Sequence, residues 1–193
     1  MSSSNLIRWC GMAAVVAGVL SIAVDLVVLA VCGFGQSIGD ALTSSGFLVQ
    51  SVAAPLAGVL LLLGLVGLYT PQSETTGVAG LISFLVAFVG TVLAQSFVLA
   101  DLFANLGWAL FGVSCLRARI YPRVASTLLV VGAVSTAVFG SFPRSEPGGV
   151  LMYAVIGADV ILNLAIAWLG LALFTRSRDE GPRQATPGSG GGD

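Results

Sequence analysis

Two stretches of this chain repeat one frame of polar residues inside apolar sequence. Asp101 is followed by Asn105 in "DLFANLGWALFG", and Asp159 is followed by Asn163 in "DVILNLAIAWLG". A third acid, Asp25, lies alone in the first apolar run. Paired carboxyl groups can act as an acid and a base, or can hold a cation or an amine. An acid and an amide one helical turn apart share a face, where they can also bond to a neighbouring helix.

The composition places these acids in a membrane. Of the 193 residues, 56% are hydrophobic and only 9% are charged, whereas soluble domains carry about 25% charged residues. A chain this apolar cannot bury its surface in one soluble core, so lipid must be its solvent. All eight basic residues are arginine, which is typical of a high-GC bacterial genome. The absence of lysine excludes a Schiff base, and the absence of histidine argues against haem and most transition-metal sites.

Six apolar runs approach the length of about 20 residues that a helix needs to cross a bilayer core of about 30 Å. The predicted fold is therefore all-α, an integral membrane bundle of six transmembrane helices. We expect these helices at 9–32, 47–69, 78–97, 102–116, 124–142 and 150–174. Residues 1–175 then form one transmembrane domain, and the polar segment 176–193 is expected to be a disordered cytoplasmic tail.

The sequence predicts a helix break near 95–101 and a loop at 70–77. Residues 78–116 as a single helix would be about 58 Å long, roughly twice the membrane thickness, so the chain is expected to break near 95–101. Asp101 is the predicted N-cap of the helix that follows the break. Turn-forming residues predict a loop at 70–77.

The arginines predict the orientation of the bundle. With the amino end inside, the inner side holds Arg8, Arg117, Arg119, Arg123, Arg176, Arg178 and Arg183, and the outer side holds Arg144. Cytoplasmic loops of membrane proteins carry such an excess of positive residues. We therefore expect both termini in the cytoplasm and the helices in the cell membrane, the plasma membrane of a bacterium.

The same arginines predict the depth of the acids. Each aspartate lies 16 or 17 residues from an arginine of the inner boundary, along its own helix. At 1.5 Å per residue this puts all three about 24–26 Å above that boundary, in the outer third of the core. The predicted polar layer, a candidate ligand-binding region, comprises Asp25, Asp101, Asp159, Asn105, Asn163, Gln50 and Gln95. The sequence thus predicts an outward-facing polar pocket over an apolar floor.

Stripes of small residues indicate where helices approach closely. In the first helix the stripe is Gly11, Ala14, Gly18 and Ser21, and it continues to Asp25. In the fifth helix it is Gly132, Thr136 and Gly140.

Three classes of function fit this pattern. The favoured one is a non-catalytic accessory subunit or sensor, in which the polar layer joins helices or meets a partner helix. The second is an outward-facing binding or transport protein for a cation or an amine-bearing small molecule. The third is an intramembrane enzyme with Asp25 and Asp159 as acid and base.

No nucleophile motif, metal-ligand box or phosphate loop accompanies the two aspartates in the sequence. We therefore expect no catalytic residue, no metal and no cofactor, although an enzyme stays possible. The expected partners are the lipid bilayer and either another membrane subunit or a second copy of the chain. The net charge of −1 gives no support for nucleic-acid binding.

Two segments carry a resemblance to other proteins. The start "RWCGMAAVVAGVL" (8–20) and the stretch "LRARIYPRVASTLLVVGAVS" (116–135) resemble small uncharacterised multi-pass membrane proteins of high-GC bacteria. The resemblance implies a helical bundle in the cell membrane. It includes no diagnostic motif, and it carries no catalytic residues with it.

Overall fold

The computed structural model describes residues 3–32, 45–95, 100–142 and 150–179, and these ranges contain helices and no strand. The α-helices are α1 (Ser3–Cys32), α2 (Ser45–Tyr69), α3 (Ser73–Ala94), α4 (Ala100–Ala118), α5 (Arg123–Gly140) and α6 (Val150–Asp179). The all-helical expectation is confirmed for this part of the chain. Helices α1 and α2 end at Cys32 and Tyr69 and α6 begins at Val150, the same residues as in the expected ranges.

Four stretches of the described residues are long and apolar enough to cross a membrane. They are Asn5–Ala30, Ser51–Ala94, Arg123–Gly140 and Val150–Ser177. Helix α4 is not among them, because Asp101, Asn105 and Arg117 lower its hydropathy. By length and composition, the chain is therefore compatible with a multi-pass helical membrane protein.

The stretch Ser51–Ala94 is a hairpin rather than one rod. A short 3-10 turn, Thr70–Gln72, joins α2 to α3. The rings of Tyr69 and Phe84 stack with their centroids 4.6 Å apart, whereas fifteen residues of straight helix would separate them by about 22 Å. Helix α3 therefore folds back along α2.

The helices follow one another around the bundle in the order of the chain, and the contact of α1 with α6 closes the ring. Helix α1 packs against both α2 and α6, α5 packs against α6 and α4, and α4 packs against α3. The first and last helices are thus neighbours, and α2 and α3 touch each other much less than the other adjacent pairs. Fully buried apolar side chains fill the core, among them Phe111, Leu65, Leu129, Ile166 and Leu169.

Glycines let these helices approach closely, because lipid offers no hydrophobic drive and association depends on van der Waals contact. Added Cβ atoms at the glycines would collide with the facing helix. The pairs are Gly64 with Ala14, Gly67 with Cys10, Gly90 with Ala104, Gly107 with Ala87, and Gly132 with Leu162. These pairs cover three of the helix interfaces, α1–α2, α3–α4 and α5–α6, so the helices pack closely in each of them.

Three sequence-based expectations at helix ends were wrong. The predicted loop 70–77 is mostly helical, with one kink at Gly77, whose φ of +55° favours glycine. Asp101 lies in the first turn of α4 and is not its N-cap, because the helix already begins at Ala100. Helix α6 continues to Asp179, four residues into the expected disordered tail; residues 180–193 lie outside the described part.

The small-residue stripe of α5 yields a matched pair of variants. A Cβ at Gly132 would lie 2.6 Å from the backbone nitrogen of Leu162 in α6, whereas a Cβ at Gly140 would meet nothing within 4 Å. We expect Gly132→Ala to lower stability by about 1–3 kcal/mol through overpacking, and Gly140→Ala to leave stability unchanged or slightly higher. Thermal melting in detergent measures both. Equal melting temperatures for the two variants would contradict the close α5–α6 contact.

Candidate functional site

The antiparallel packing of α1 and α6 follows a regular register. A Cβ at Gly11 would lie 3.0 Å from the carbonyl oxygen of Gly170, and a Cβ at Gly18 would lie 2.6 Å from that of Asn163. Seven residues forward on α1 thus correspond to seven residues backward on α6. The next step of seven reaches Asp25 and, on α6, the turn that contains Asp159.

The carboxyl groups of Asp25 and Asp159 meet in this interface, within hydrogen-bonding reach of each other. Oδ2 of Asp25 is buried and has no hydrogen-bond donor among the described residues. Both side chains are half-buried, so each keeps some exposed surface. We call these two residues the aspartate pair.

Asn163 supports the aspartate pair from α6. Its amide nitrogen donates to the backbone oxygen of Asp159 at 3.0 Å and to the carboxyl Oδ2 of Asp159 at 3.2 Å. Only 5% of Asn163 is exposed. A buried amide that leaves its donors unpaired is costly, so these bonds hold the Asp159 side chain while they satisfy Asn163.

The Asp–Asn frame of α4, Asp101 and Asn105, makes only one of the two hydrogen bonds that Asp159 and Asn163 make in α6. The Asn105 amide nitrogen donates to the backbone oxygen of Asp101 at 2.9 Å. The frame therefore places an asparagine where it can bond the carbonyl one turn earlier, in both helices. Asp101 is exposed, and it lies near enough to act electrostatically on a charge at Asp159.

The remaining predicted residues do not join this group. Gln95 follows the end of α3, and its amide lies against Gly58 of α2, where an added Cβ would be 2.6 Å from Nε2. The side chain of Gln50 lies outside the described part of the structure. Of the seven predicted layer residues, the structure thus brings together Asp25, Asp159 and Asn163, with Asp101 nearby.

A second polar cluster, at the opposite end of the bundle from the aspartate pair, was missed from the sequence. Gln72 is fully buried beside Cys115, and both polar atoms of its amide lack a geometrically well-formed hydrogen bond. The hydroxyl of Tyr121 donates to the backbone oxygen of Leu68 at 2.7 Å. Burial raises the pKa of Tyr121, so this hydroxyl keeps its proton and remains a donor. No signal marked Gln72, which lies in a segment predicted to be a loop.

An apolar groove of about 340 Å³ lies between α3 and α4. Its lining residues are Leu85, Val86, Val89, Gly90, Leu93 and Phe103. None of the predicted polar layer lines it, so the groove is suited to lipid chains and not to a cation. Within the described ranges, no group of three or more His, Cys, Asp or Glu residues could hold a metal ion.

The chain matches no protein-family model, no curated protein and no solved structure. Its function therefore has to be inferred from the chemistry of these contacts. Two carboxyl groups in contact can share a proton, bind a cation, or fix the register of two helices. The amide of Asn163 can donate to the aspartate pair in each of these cases.

Substitution of the two repeated asparagines is expected to lower stability by different amounts. Asn163→Ala removes a bond to a carboxyl group as well as a backbone bond, so we expect it to lower stability by about 1.5–3 kcal/mol. Asn105→Ala removes only the bond to a backbone oxygen that is already part of a helix, and we expect a loss of about 0.5–1 kcal/mol. Thermal or denaturant unfolding in detergent compares them. A larger loss for Asn105→Ala would contradict the role assigned to Asn163.

Proposed function

We propose that this chain is a six-span protein of the cell membrane, with both termini in the cytoplasm, that acts as a non-catalytic accessory subunit or sensor. The observation that carries this proposal is the contact between the aspartate pair. The strongest polar groups of the outer layer face each other across the α1–α6 interface. An arrangement of this kind joins helices, whereas a catalytic pair has to face a substrate cavity.

Six crossings are supported by the shape of the bundle. The hairpin of α2 and α3 fits two passes in the 44 residues of the stretch Ser51–Ala94. Helix α4 has 19 residues, close to the length of about 20 that one crossing needs. Its polar residues Asn105 and Ser114 are buried against other helices and not turned to lipid.

The arginine distribution supports cytoplasmic termini. Arg8 near the start of α1 lies over the ring of Phe174 in α6, 4.9 Å from its centroid. Arg117 and Arg119 lie at the end of α4, in the same part of the chain as Tyr121, which bonds the end of α2. These three arginines thus lie at one end of the bundle, and by the positive-inside rule they support a cytoplasmic face there.

The sensor or subunit class also fits the surface. Most of the exposed side chains in the spans are large and apolar, for example Val52, Leu81, Phe103 and Leu164. Lipid covers such a surface, and another membrane subunit or a second copy of the chain could cover part of it. No nucleic acid or cofactor enters this proposal.

Binding of a cation or an amine is the second candidate function. The observation in its favour is the buried Oδ2 of Asp25, which lacks a donor among the described residues. A bound cation or ammonium group would neutralise the aspartate pair from its exposed side. The outward-facing position that the sequence predicts would admit such a ligand.

The topology can be tested with a cysteine reagent that cannot cross membranes. Glu74, at the start of α3, and Ser141, at the end of α5, are both exposed. In intact cells we expect Ser141→Cys to react and Glu74→Cys to react only after the membrane is opened. Cys10 and Cys115 are buried, and Cys32→Ser in both variants removes the remaining thiol. The reverse labelling pattern would overturn the orientation.

Thermal melting separates the subunit or sensor proposal from ligand binding. At neutral pH we expect Asp25→Asn and Asp159→Asn to melt close to the wild type, because an amide can donate to the remaining carboxylate. Leucine at either position should lower stability by about 1–2 kcal/mol, since it leaves polar neighbours unpaired.

Sodium, potassium, magnesium and simple amines are the added solutes in this experiment. Under the proposal, none of them shifts the wild-type melt more than it shifts the two Asn variants. A ligand at 100 times its Kd adds about 2.7 kcal/mol to the stability of the folded state. A stabilisation of that size, present in the wild type and lost in both Asn variants, would replace the proposal with the binding function. Glu74→Gln, which removes an exposed carboxylate elsewhere, is the control.

A further inference from the structure

We propose that the packing of the outer half of α1 against α6 is controlled by pH: the aspartate pair holds the helices together while it shares a proton, and separates them when both carboxyl groups are ionised. This inference rests on the proposed function, because it names the signal to which a sensor of this kind responds. It depends on the contact between the pair, on the groups around it and on the packing below it.

The contact itself requires a proton. An ionised carboxylate only accepts hydrogen bonds. Two neighbouring carboxyl groups can therefore form a hydrogen bond with each other only when one of them is protonated. Asn163 donates to Asp159, but no described group donates to Oδ2 of Asp25. A single proton between Asp25 and Asp159 makes this contact a hydrogen bond and removes one of the two charges.

No positive charge in the neighbouring helices can replace this proton. The titratable or charged groups of α2, α3 and α5 are Tyr69, Glu74 and Arg123, all at the inner ends of their helices. In α1 and α6 the arginines are Arg8, Arg176 and Arg178, each 17 or more residues from the aspartate of its own helix. These distances correspond to about 25 Å or more along the helix axis.

The remaining neighbours among the described residues do not neutralise the pair either. Asp101 of α4 is negative and opposes a second charge at Asp159. Tyr153 lies six residues from Asp159 on α6, and a tyrosine side chain carries no positive charge. In a medium of low dielectric constant, two adjacent carboxylates without a cation repel each other strongly. Ionisation of both groups therefore acts directly on the α1–α6 contact.

The inner half of the same interface resists this force. Gly11 and Gly18 bring the α1 backbone against Gly170 and Asn163, where a Cβ would not fit without a shift. Such close contacts maximise van der Waals attraction between helices in lipid. The repulsion between Asp25 and Asp159 thus acts beyond the last glycine contact, so that only the outer end of α1 is free to move outward.

The direction of the pH dependence follows from proton counting. Because the contact needs a shared proton, the closed pair binds one more proton than two separate, ionised aspartates. Stability therefore falls as pH rises wherever the folded state binds more protons than the unfolded state. At low pH the pair is closed, and at high pH the outer ends of α1 and α6 separate.

Two pairs of spin labels test this movement. Ala30 and Tyr153 are exposed near the outer ends of α1 and α6, and Met12 and Leu171 are exposed at the matching register near the inner ends. Each pair is replaced by cysteine in the full chain with Cys32→Ser, reconstituted into liposomes and labelled. Distances are measured at about pH 5 and about pH 9. Both values lie above the ordinary pKa of an aspartate and below the ordinary pKa of a tyrosine. Sodium concentration is held constant, and no amine is present.

We expect the outer pair to lengthen by about 2 Å or more at the higher pH, the size of a helix shift in a switching protein, and the inner pair to stay constant. Asp25→Asn and Asp159→Asn should each abolish the lengthening, because an amide–carboxylate contact needs no proton. Glu74→Gln should preserve it. The proposal is overturned if the outer distance is constant, if both pairs lengthen equally, or if the Asn variants still respond.

If neither Asn variant folds, the wild-type distances at the two pH values still decide whether the outer ends of α1 and α6 separate. Failure of this inference is distinguishable from failure of the proposed function. Stabilisation by a cation or an amine would overturn the function, whereas the distances, measured at constant sodium and without amines, would still decide the pH control. A constant outer distance would overturn the pH control and leave the non-catalytic assignment standing.

Discussion

The close approach of α1 to α6 is the contact on which the outer polar layer depends. Gly11 and Gly18 remove the side chains that would keep the two backbones apart. Once these glycines are in place, the helical repeat puts Asp25 beside the turn of Asp159, because seven residues complete nearly two turns. The chemistry of the aspartate pair is therefore a consequence of packing in the apolar half of the same interface.

The α1–α6 contact also closes the bundle. The first and last helices are adjacent, and the chain between them runs through α2, the hairpin, α4 and α5. In a bilayer this closure has no hydrophobic drive of its own, so close packing and interhelical polar contacts have to provide it. The contact of Asp25 with Asp159 adds a polar link at the position where the closing helices meet, and it makes that link sensitive to protons.

The two copies of the Asp–Asn frame show that one local pattern can have different consequences. In both helices the asparagine bonds the carbonyl oxygen of the aspartate one turn before it. In α6 the aspartate then meets a partner from α1, whereas in α4 it remains exposed in the first helical turn. The local bond follows from spacing on a helix, and the difference follows from which helix lies opposite.

The sequence by itself determined the helical class and the approximate limits of most helices, and it predicted one common level for Asp25 and Asp159. These properties depend on run length and on 1.5 Å of rise per residue, which are local quantities. Only the tertiary structure decided that α1 adjoins α6, that Gln95 turns to Gly58 of α2, and that Gln72 is buried. The reason is that lipid is as apolar as the protein core, so apolar periodicity does not show which face of a helix meets another helix. That choice depends on how small side chains on separate helices fit together, and no single helix carries this information.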